Sequence, residues 1–432
     1  MLLADSVHEM QRLLDLLATF CKIFGLTVNL EKTKSMCFCP PQHMAPLLLD
    51  LTYNGTPLTQ VAQLDYLGLT FDCKQGLYLS NQASALAKGR QAMFALTAQL
   101  RRRRLRTPDF ARRLFDLLVA PTFSYGCQIW GPDKFVEALC DPMSVGLQRI
   151  PLEFARTFCG LGSSAHRMTL LRELGMFPVF HHWLCLAVRL WNRLKGMDGK
   201  RLFRIAFEDN LKLALGGCKK CWVGRMLAAL AELDLAPATT AGLSAADLLA
   251  LDLDEAALKD RLQTRFLDNW PADLGQPREA PSQGVLAATY ARWVGMGPGA
   301  TSPHLHTSLP YTLRRVLVGF RVGAHALEVV SGRFRGVARE ERVCKVHTHD
   351  EAHSPHVEDL MHFLLECPHY QPIRDAHPRV FANAAHAASA NEQVQAVFRC
   401  ASQWELAECL QTMLAARTAR LEQLDLVAGG GQ

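Results

Sequence analysis

Leu64-Asp65-Tyr66-Leu67-Gly68-Leu69-Thr70-Phe71 is a short apolar run carrying one glycine, and just beyond it the character of the chain changes. Upstream, brief strand-like runs (Leu26 to Leu30, Lys34 to Phe38, Leu49 to Tyr53, Leu67 to Phe71) alternate with turns, and Asn54-Gly55 is a hairpin signal. Ser6 and Glu9 have the spacing of a capping box. They precede a helix whose apolar stripe is Met10, Leu13, Leu14, Leu17, Cys21 and Phe24, and Gly25 ends it. Downstream, Asn81 to Arg106 reads as one long helix, and Thr107-Pro108 starts another as N-cap and N1. Helical patterns continue through Pro178 to Leu194, Ala245 to Leu251 and Asp254 to Asn269. The expected class is therefore α+β at the N-terminus followed by a mostly α-helical remainder.

The stretch from Pro271 to Pro310 is rich in Pro, Gly and Ser and reads as a linker around one short helix, Gly284 to Gly295. Five segments follow from these changes of pattern: 1–79, 80–200, 201–310, 311–385 and 386–432. The last is an Ala-rich helix and tail. No internal repeat is present.

At 432 residues, 49% of them hydrophobic and 20% charged, a folded multi-domain protein is expected. Apolar runs such as Ala45 to Leu51 are far shorter than the roughly 20 residues of a membrane span, and the N-terminus lacks a secretory pattern. Fourteen cysteines in such a chain read as thiols or metal ligands rather than a disulfide framework, and an intracellular setting is expected. The net charge of +6 is concentrated. Nine cations (Lys88, Arg90, Arg101, Arg102, Arg103, Arg104, Arg106, Arg112, Arg113) face only Asp109 between residues 88 and 113, and a second basic block runs from Arg314 to Lys345. Such blocks fit a polyanion partner, RNA or DNA; solvated helix faces are the plainer alternative.

The spacing Cys344-x2-His347-x14-His362-x4-Cys367 offers two close pairs across a loop, a set that can supply four tetrahedral ligands to Zn2+. His349, His353, His356 and His369 lie nearby, so the ligand identities stay open, and a metal-free loop is the alternative. Cys218 and Cys221, beside Lys219 and Lys220, have no partner pair.

Several blocks, in order, resemble LINE-type (non-LTR retrotransposon) reverse transcriptases. Met1-Leu2-Leu3-Ala4-Asp5-Ser6 is similar to the segment just after the family's Tyr/Phe-Ala-Asp-Asp motif. Gly25-Leu26-Thr27-Val28-Asn29 with Glu31-Lys32-Thr33-Lys34-Ser35-Met36 resembles the next palm block, and residues 64–71 resemble the primer grip. Ala120-Pro121-Thr122-Phe123-Ser124-Tyr125-Gly126-Cys127-Gln128-Ile129-Trp130-Gly131 resembles a thumb block. Arg172-Glu173-Leu174-Gly175 before Pro178, then Phe320-Arg321-Val322-Gly323-Ala324-His325-Ala326-Leu327 and Gly332-Arg333, complete the order ahead of the Cys/His segment. The resemblance runs from Met1 to about Arg374.

The resemblance implies an α+β palm remnant over 1–79, a basic helical thumb over 80–200, a helical connector over 201–310, and a zinc-knuckle-like module within 311–385. It also implies RNA and DNA (primer–template) as partners and a nuclear location. Tyr66, Leu67 and Gly68 would help place a primer end, although an ordinary hairpin explains them too. Arg101–Arg104, Arg106, Arg321, Arg333 and Arg335 would contact nucleic acid. Lys32, or Lys34, would stand where related polymerases carry an accessory lysine; a surface lysine after a strand is the plainer reading. The family's knuckle has Cys where His347 stands. Its polymerase chemistry uses carboxylate-held Mg2+, with two adjacent aspartates in the palm. No adjacent Asp pair occurs among these residues, and Met1 aligns just past it, so Mg2+ would matter only in an intact parent enzyme and this chain should not polymerise DNA by itself. An element-derived stand-alone zinc and nucleic-acid-binding protein, or a helical interaction protein without a nucleic-acid role, are the alternatives.

Overall fold

The computed structural model describes residues 1–38, 48–163, 165–275, 290, 294, 302–346 and 356–429. The N-terminal part is built from helix α1 (Val7–Phe24) and short strand pairs. Ser6 accepts from the Glu9 amide at 3.1 Å, while the Glu9 carboxylate reaches the Asp5 amide at 3.3 Å rather than that of Ser6. Gly25, at φ 65°, closes the helix with a left-handed cap. Leu14 packs with Leu51, Tyr53 and Leu58 in a small core, whereas Phe24, expected on the buried stripe, is exposed.

Strands β1 (Lys34–Ser35) and β4 (Thr59–Gln60) pair in parallel; β2 (Thr52–Tyr53) and β3 (Thr56–Pro57) form a hairpin; β5 (Gln63–Tyr66) and β6 (Leu69–Asp72) form another. Asn54 and Gly55 both take positive φ, as a two-residue type I′ turn requires. Residues 26–30, expected as a strand, form none. The expected strand from Leu67 also starts later. Leu67 (φ 49°) and Gly68 (φ 82°) make a second tight turn, and β6 begins at Leu69. Only the glycine announces that turn in the sequence, because leucine rarely takes positive φ.

Helix α2 (Leu77–Arg102) begins earlier than expected and stops within the arginine run. Arg104 turns left-handed at φ 54°, and the Leu105 amide bonds back to Leu100 at 2.9 Å, closing the end without a glycine. Helix α3 (Pro108–Leu118) then starts at the expected Thr107-Pro108, although Thr107 makes no side-chain cap bond. Helices α4 (Arg149–Cys159), α5 (Arg167–Glu173), α6 (Val179–Lys195), α7 (Leu202–Leu215), α8 (Trp222–Ala231), α9 (Ala245–Ala250) and α10 (Glu255–Gly275) share one large core with α2 and α3. Packing therefore does not break at residue 200, because Trp191 of α6 packs edge-on against Phe207 and stacks on Trp222 of the next two helices. The short helix expected at 284–295 lies outside the described residues except Tyr290 and Val294.

A second core joins α11 (Tyr311–Arg321), α12 (Glu328–Phe334), the Cys/His segment, α13 (Ala390–Phe398) and α14 (Gln403–Gly429), so residues 311–385 and 386–429 form one unit. Arginines of α11 bind this unit to the larger core. Arg314 donates to the carbonyls of Phe158 (2.9 Å) and Arg106 (3.1 Å) and lies over the Phe158 ring. Arg321, fully buried, pairs with the Glu173 carboxylate of α5 and donates to the Phe398 carbonyl at 3.1 Å. Tyr290 donates to the other Glu173 oxygen at 2.7 Å, and His304 lies 3.2 Å away. Burial alone would raise the Glu173 carboxyl, but Arg321, then His304 and the hydrogen bonds, outweigh it and hold it below the ordinary value.

Inside the C-terminal unit, Glu358 receives two hydrogen bonds from Arg417 (2.6 and 2.7 Å) and one from the Glu328 amide (2.7 Å), all buried. Removing one partner strands a buried charge. Arg417→Met should lower stability by about 3–5 kcal/mol in urea unfolding, with α14 losing amide protection first; Lys259→Met, at an exposed ion pair with Glu255, should change it by less than about 1 kcal/mol.

Candidate nucleic-acid interface and metal site

The hairpin β5–β6 is seated on the block from Ala120 to Gly131. The Tyr125 hydroxyl donates to the Leu67 carbonyl at 2.9 Å, and its ring lies against Gly68, where an added Cβ would come within 3.1 Å. Gly126, at φ 72°, lets Leu69 approach just as closely. The Trp130 indole donates to the Tyr125 carbonyl at 3.0 Å and packs edge-on against Trp183, whose own indole donates to Ser124 at 2.8 Å. Two blocks 58 residues apart are thus fixed to each other and to the core. The hairpin tip stays open: Leu67 is 74% exposed and Tyr66 38%. A leucine held at positive φ costs on the order of 1–2 kcal/mol, so the surroundings must impose this turn. Beside it lies a cavity of about 600 Å³ lined by Gly68, Asn81, Lys88, Gln91 and Tyr125 among others.

The expected basic residues differ in their surroundings. Arg101, Arg102, Arg103 and Arg104 are exposed at the end of α2. Arg106 is half-buried and serves through its carbonyl as a partner of Arg314. Arg333 is half-buried, and Arg335 is exposed but paired with Glu328. Arg321 corrects the expectation from its charge: its guanidinium is spent on Glu173 in the interior and cannot reach a phosphate. Lys32 sits exposed in the turn leading into β1, its amide bonded to the Asn29 side chain at 3.1 Å.

In the C-terminal unit, Val343 and Val357 form an antiparallel bridge, with the Cys344 amide bonded to the His356 carbonyl at 2.8 Å. This holds Cys344 opposite a π-helical turn, His362–Glu366, closed by a bond from the Cys367 amide to the His362 carbonyl at 2.8 Å. In an α-helix, residues five apart face well away from each other; the wider π turn brings His362 and Cys367 onto one side. The ligand atoms of Cys344, His362 and Cys367 all lie within 4.8 Å of one another, and all three residues are buried. The Cys344 thiol hydrogen-bonds to Cys367, which holds the Cys367 thiol below its usual pKa and pushes Cys344 up. His347, the expected fourth member, lies outside the described residues. His356 stacks on the His362 ring, and Glu366, not anticipated from the sequence, comes within the same 4.8 Å of both histidines. Its position four residues after His362 was the available signal.

Two buried thiols and an imidazole at this separation suit a tetrahedral zinc, with bonds of about 2.0 to 2.3 Å. The pair Cys218 and Cys221 instead caps α8: Cys221 donates to the Cys218 carbonyl at 3.0 Å and accepts from the Gly224 amide at 3.3 Å. The cysteines described are free thiols, and no helix among the described residues is long and apolar enough to cross a membrane.

No known family profile matches the chain, and no solved structure matches it. A stretch of 127 residues is 32% identical to a probable RNA-directed DNA polymerase from transposon BS of Drosophila melanogaster. That stretch is reverse-transcriptase-related. It covers 29% of this chain and 14% of the fly protein, so what the whole relative does is not carried over with it.

Replacing Gly68 by alanine should strain a positive-φ position and press on Tyr125, destabilising the hairpin by about 1–2 kcal/mol. Hydrogen exchange should show faster exchange confined to residues 63–72 and the neighbourhood of Tyr125, with the large core unchanged.

Proposed function

We propose that the chain is the C-terminal, nucleic-acid-binding part of a LINE-type reverse transcriptase, acting on RNA and primer–template in the nucleus. The similarity over 127 residues to a transposon RNA-directed DNA polymerase carries this reading. Two features of the geometry support it. The strained, open hairpin tip at Tyr66-Leu67-Gly68 is seated on the thumb-like block, where a primer end could be placed. Four arginines, Arg101 to Arg104, are exposed at one helix end, where they can follow a phosphate backbone. These residues supply no paired aspartates to hold catalytic Mg2+, so the activity proposed for them is binding and not primer extension.

Cys344, His362 and Cys367, with His347 as the fourth ligand, would hold a structural Zn2+ that fixes the Val343–Val357 bridge against the π turn. Zinc bound in this way adds folding free energy and leaves no open position for chemistry.

Fluorescence anisotropy with a labelled RNA–DNA primer–template tests the binding. Affinity should fall steeply with salt, and replacing Arg101–Arg104 by glutamine should weaken binding and flatten the slope by about 0.9 for each phosphate no longer neutralised. Binding indifferent to salt, or none, would favour a helical interaction protein. For the metal, about one Zn2+ per chain should co-purify by elemental analysis. Chelation should then lower the melting temperature of the wild type but not of Cys367→Ser; no melting shift on chelation of a zinc-bearing chain would sink the structural role.

A further inference from the structure

A second basic concavity lies apart from the Arg101–Arg104 helix end. A cleft of about 730 Å³ opens where α4 and the segment leading into α5 face the end of α12, so both hydrophobic units contribute to its walls. Arg90, Arg149, Arg156, Arg167 and Arg333 line it, and the one carboxylate among its lining residues, Glu153, is already engaged by Arg90. Arg149 and Arg167 are exposed to the cleft. Arg156 is half-buried; one of its terminal nitrogens reaches the Ser163 carbonyl at 3.4 Å, and its Nε is buried without a hydrogen-bond partner. Burial and the charge of Arg167 both disfavour its protonated form, a cost that a bound anion would offset. At the rim stands Phe334, 64% exposed, with the Arg333 guanidinium 4.8 Å from its ring centre.

A small anion needs cations but has no use for an exposed aromatic ring, and a duplex keeps its bases stacked inside. A single-stranded polynucleotide uses both: phosphates on the guanidinium groups and an unpaired base on the ring. We propose that this cleft is a second nucleic-acid site. It takes a single-stranded segment, with consecutive phosphates on Arg149, Arg156 and Arg167 and one base stacked on Phe334. The assignment rests on the nucleic-acid reading of the chain but concerns a surface separate from the exposed arginines of α2. Because its walls come from two units, the site also reports whether those units keep their arrangement.

The full chain is titrated with a labelled single-stranded RNA of about ten nucleotides, within the usual site size for such grooves, and with a duplex of the same length. Arg149→Gln/Arg167→Gln, both at exposed positions, should weaken single-strand binding about tenfold and reduce the salt slope by about 1.4, two phosphates at about 0.7 each. Phe334→Ala should weaken it about tenfold with the salt slope unchanged, and Phe334→Trp should restore it; duplex affinity should not respond to either. Circular dichroism melting of each variant identifies any that fail to fold, and the tryptophan rescue does not depend on a loss. If the wild type binds the single strand and these variants bind it equally well, the cleft is wrong while the broader reading stands. If inorganic phosphate competes on equal terms with the oligonucleotide, the cleft holds a small anion and the proposal falls. If the wild type binds neither nucleic acid, both readings fall together.

Discussion

A carboxylate and a guanidinium buried together, Glu173 with Arg321, set the arrangement on which the described structure depends. Each would be costly alone in the interior, and they are tolerated because every strong contact is answered: Arg321 meets Glu173, Ser302 and the Phe398 carbonyl, while Tyr290 takes the second carboxylate oxygen. Hydrophobic burial within each unit does not specify how two apolar faces meet, because it is non-directional. The ion pair supplies direction. It fixes α5 of the large core against α11, and through Phe398 against the C-terminal unit, and Arg314 adds a second fixing point at Phe158 and Arg106.

Much of the helical architecture was legible because its signals are local. Ser6 and Gly25 bound the first helix, Thr107-Pro108 restarts the chain after α2, and the apolar spacing of residues 179–195 gives α6 almost to the residue. The strands were less so. Most pair over two residues, too short for a period to show, and the turn at Leu67 places a leucine in a conformation that its own propensity opposes. Its cause, the Tyr125 hydroxyl, lies 58 residues away.

The site residues divide on the same principle. Arg101–Arg104 could be read from their density of charge, and they are exposed. Arg321 also sits in a basic stretch, yet its partner is 148 residues distant, so counting charges along the chain misassigns it to the surface. The Cys/His spacing pointed to Cys344, His362 and Cys367. What spacing could not show is how residues five apart on a helix converge, which the π turn accomplishes. The arginine cleft was invisible for a related reason: its five guanidinium groups come from positions 90 to 333, and only folding assembles them. Phe334 would otherwise be one more exposed apolar side chain.

The most direct test of this account is native-state hydrogen exchange on Glu173→Gln, Arg321→Met and the double variant. Each single change should remove protection from α5 and α11 together and loosen the contact at Phe398, at about 3–5 kcal/mol, and the double variant should be less destabilised than the sum of the two. Additive effects, or a loss confined to the few residues around the substituted position, would contradict the claim that this buried pair joins the two units.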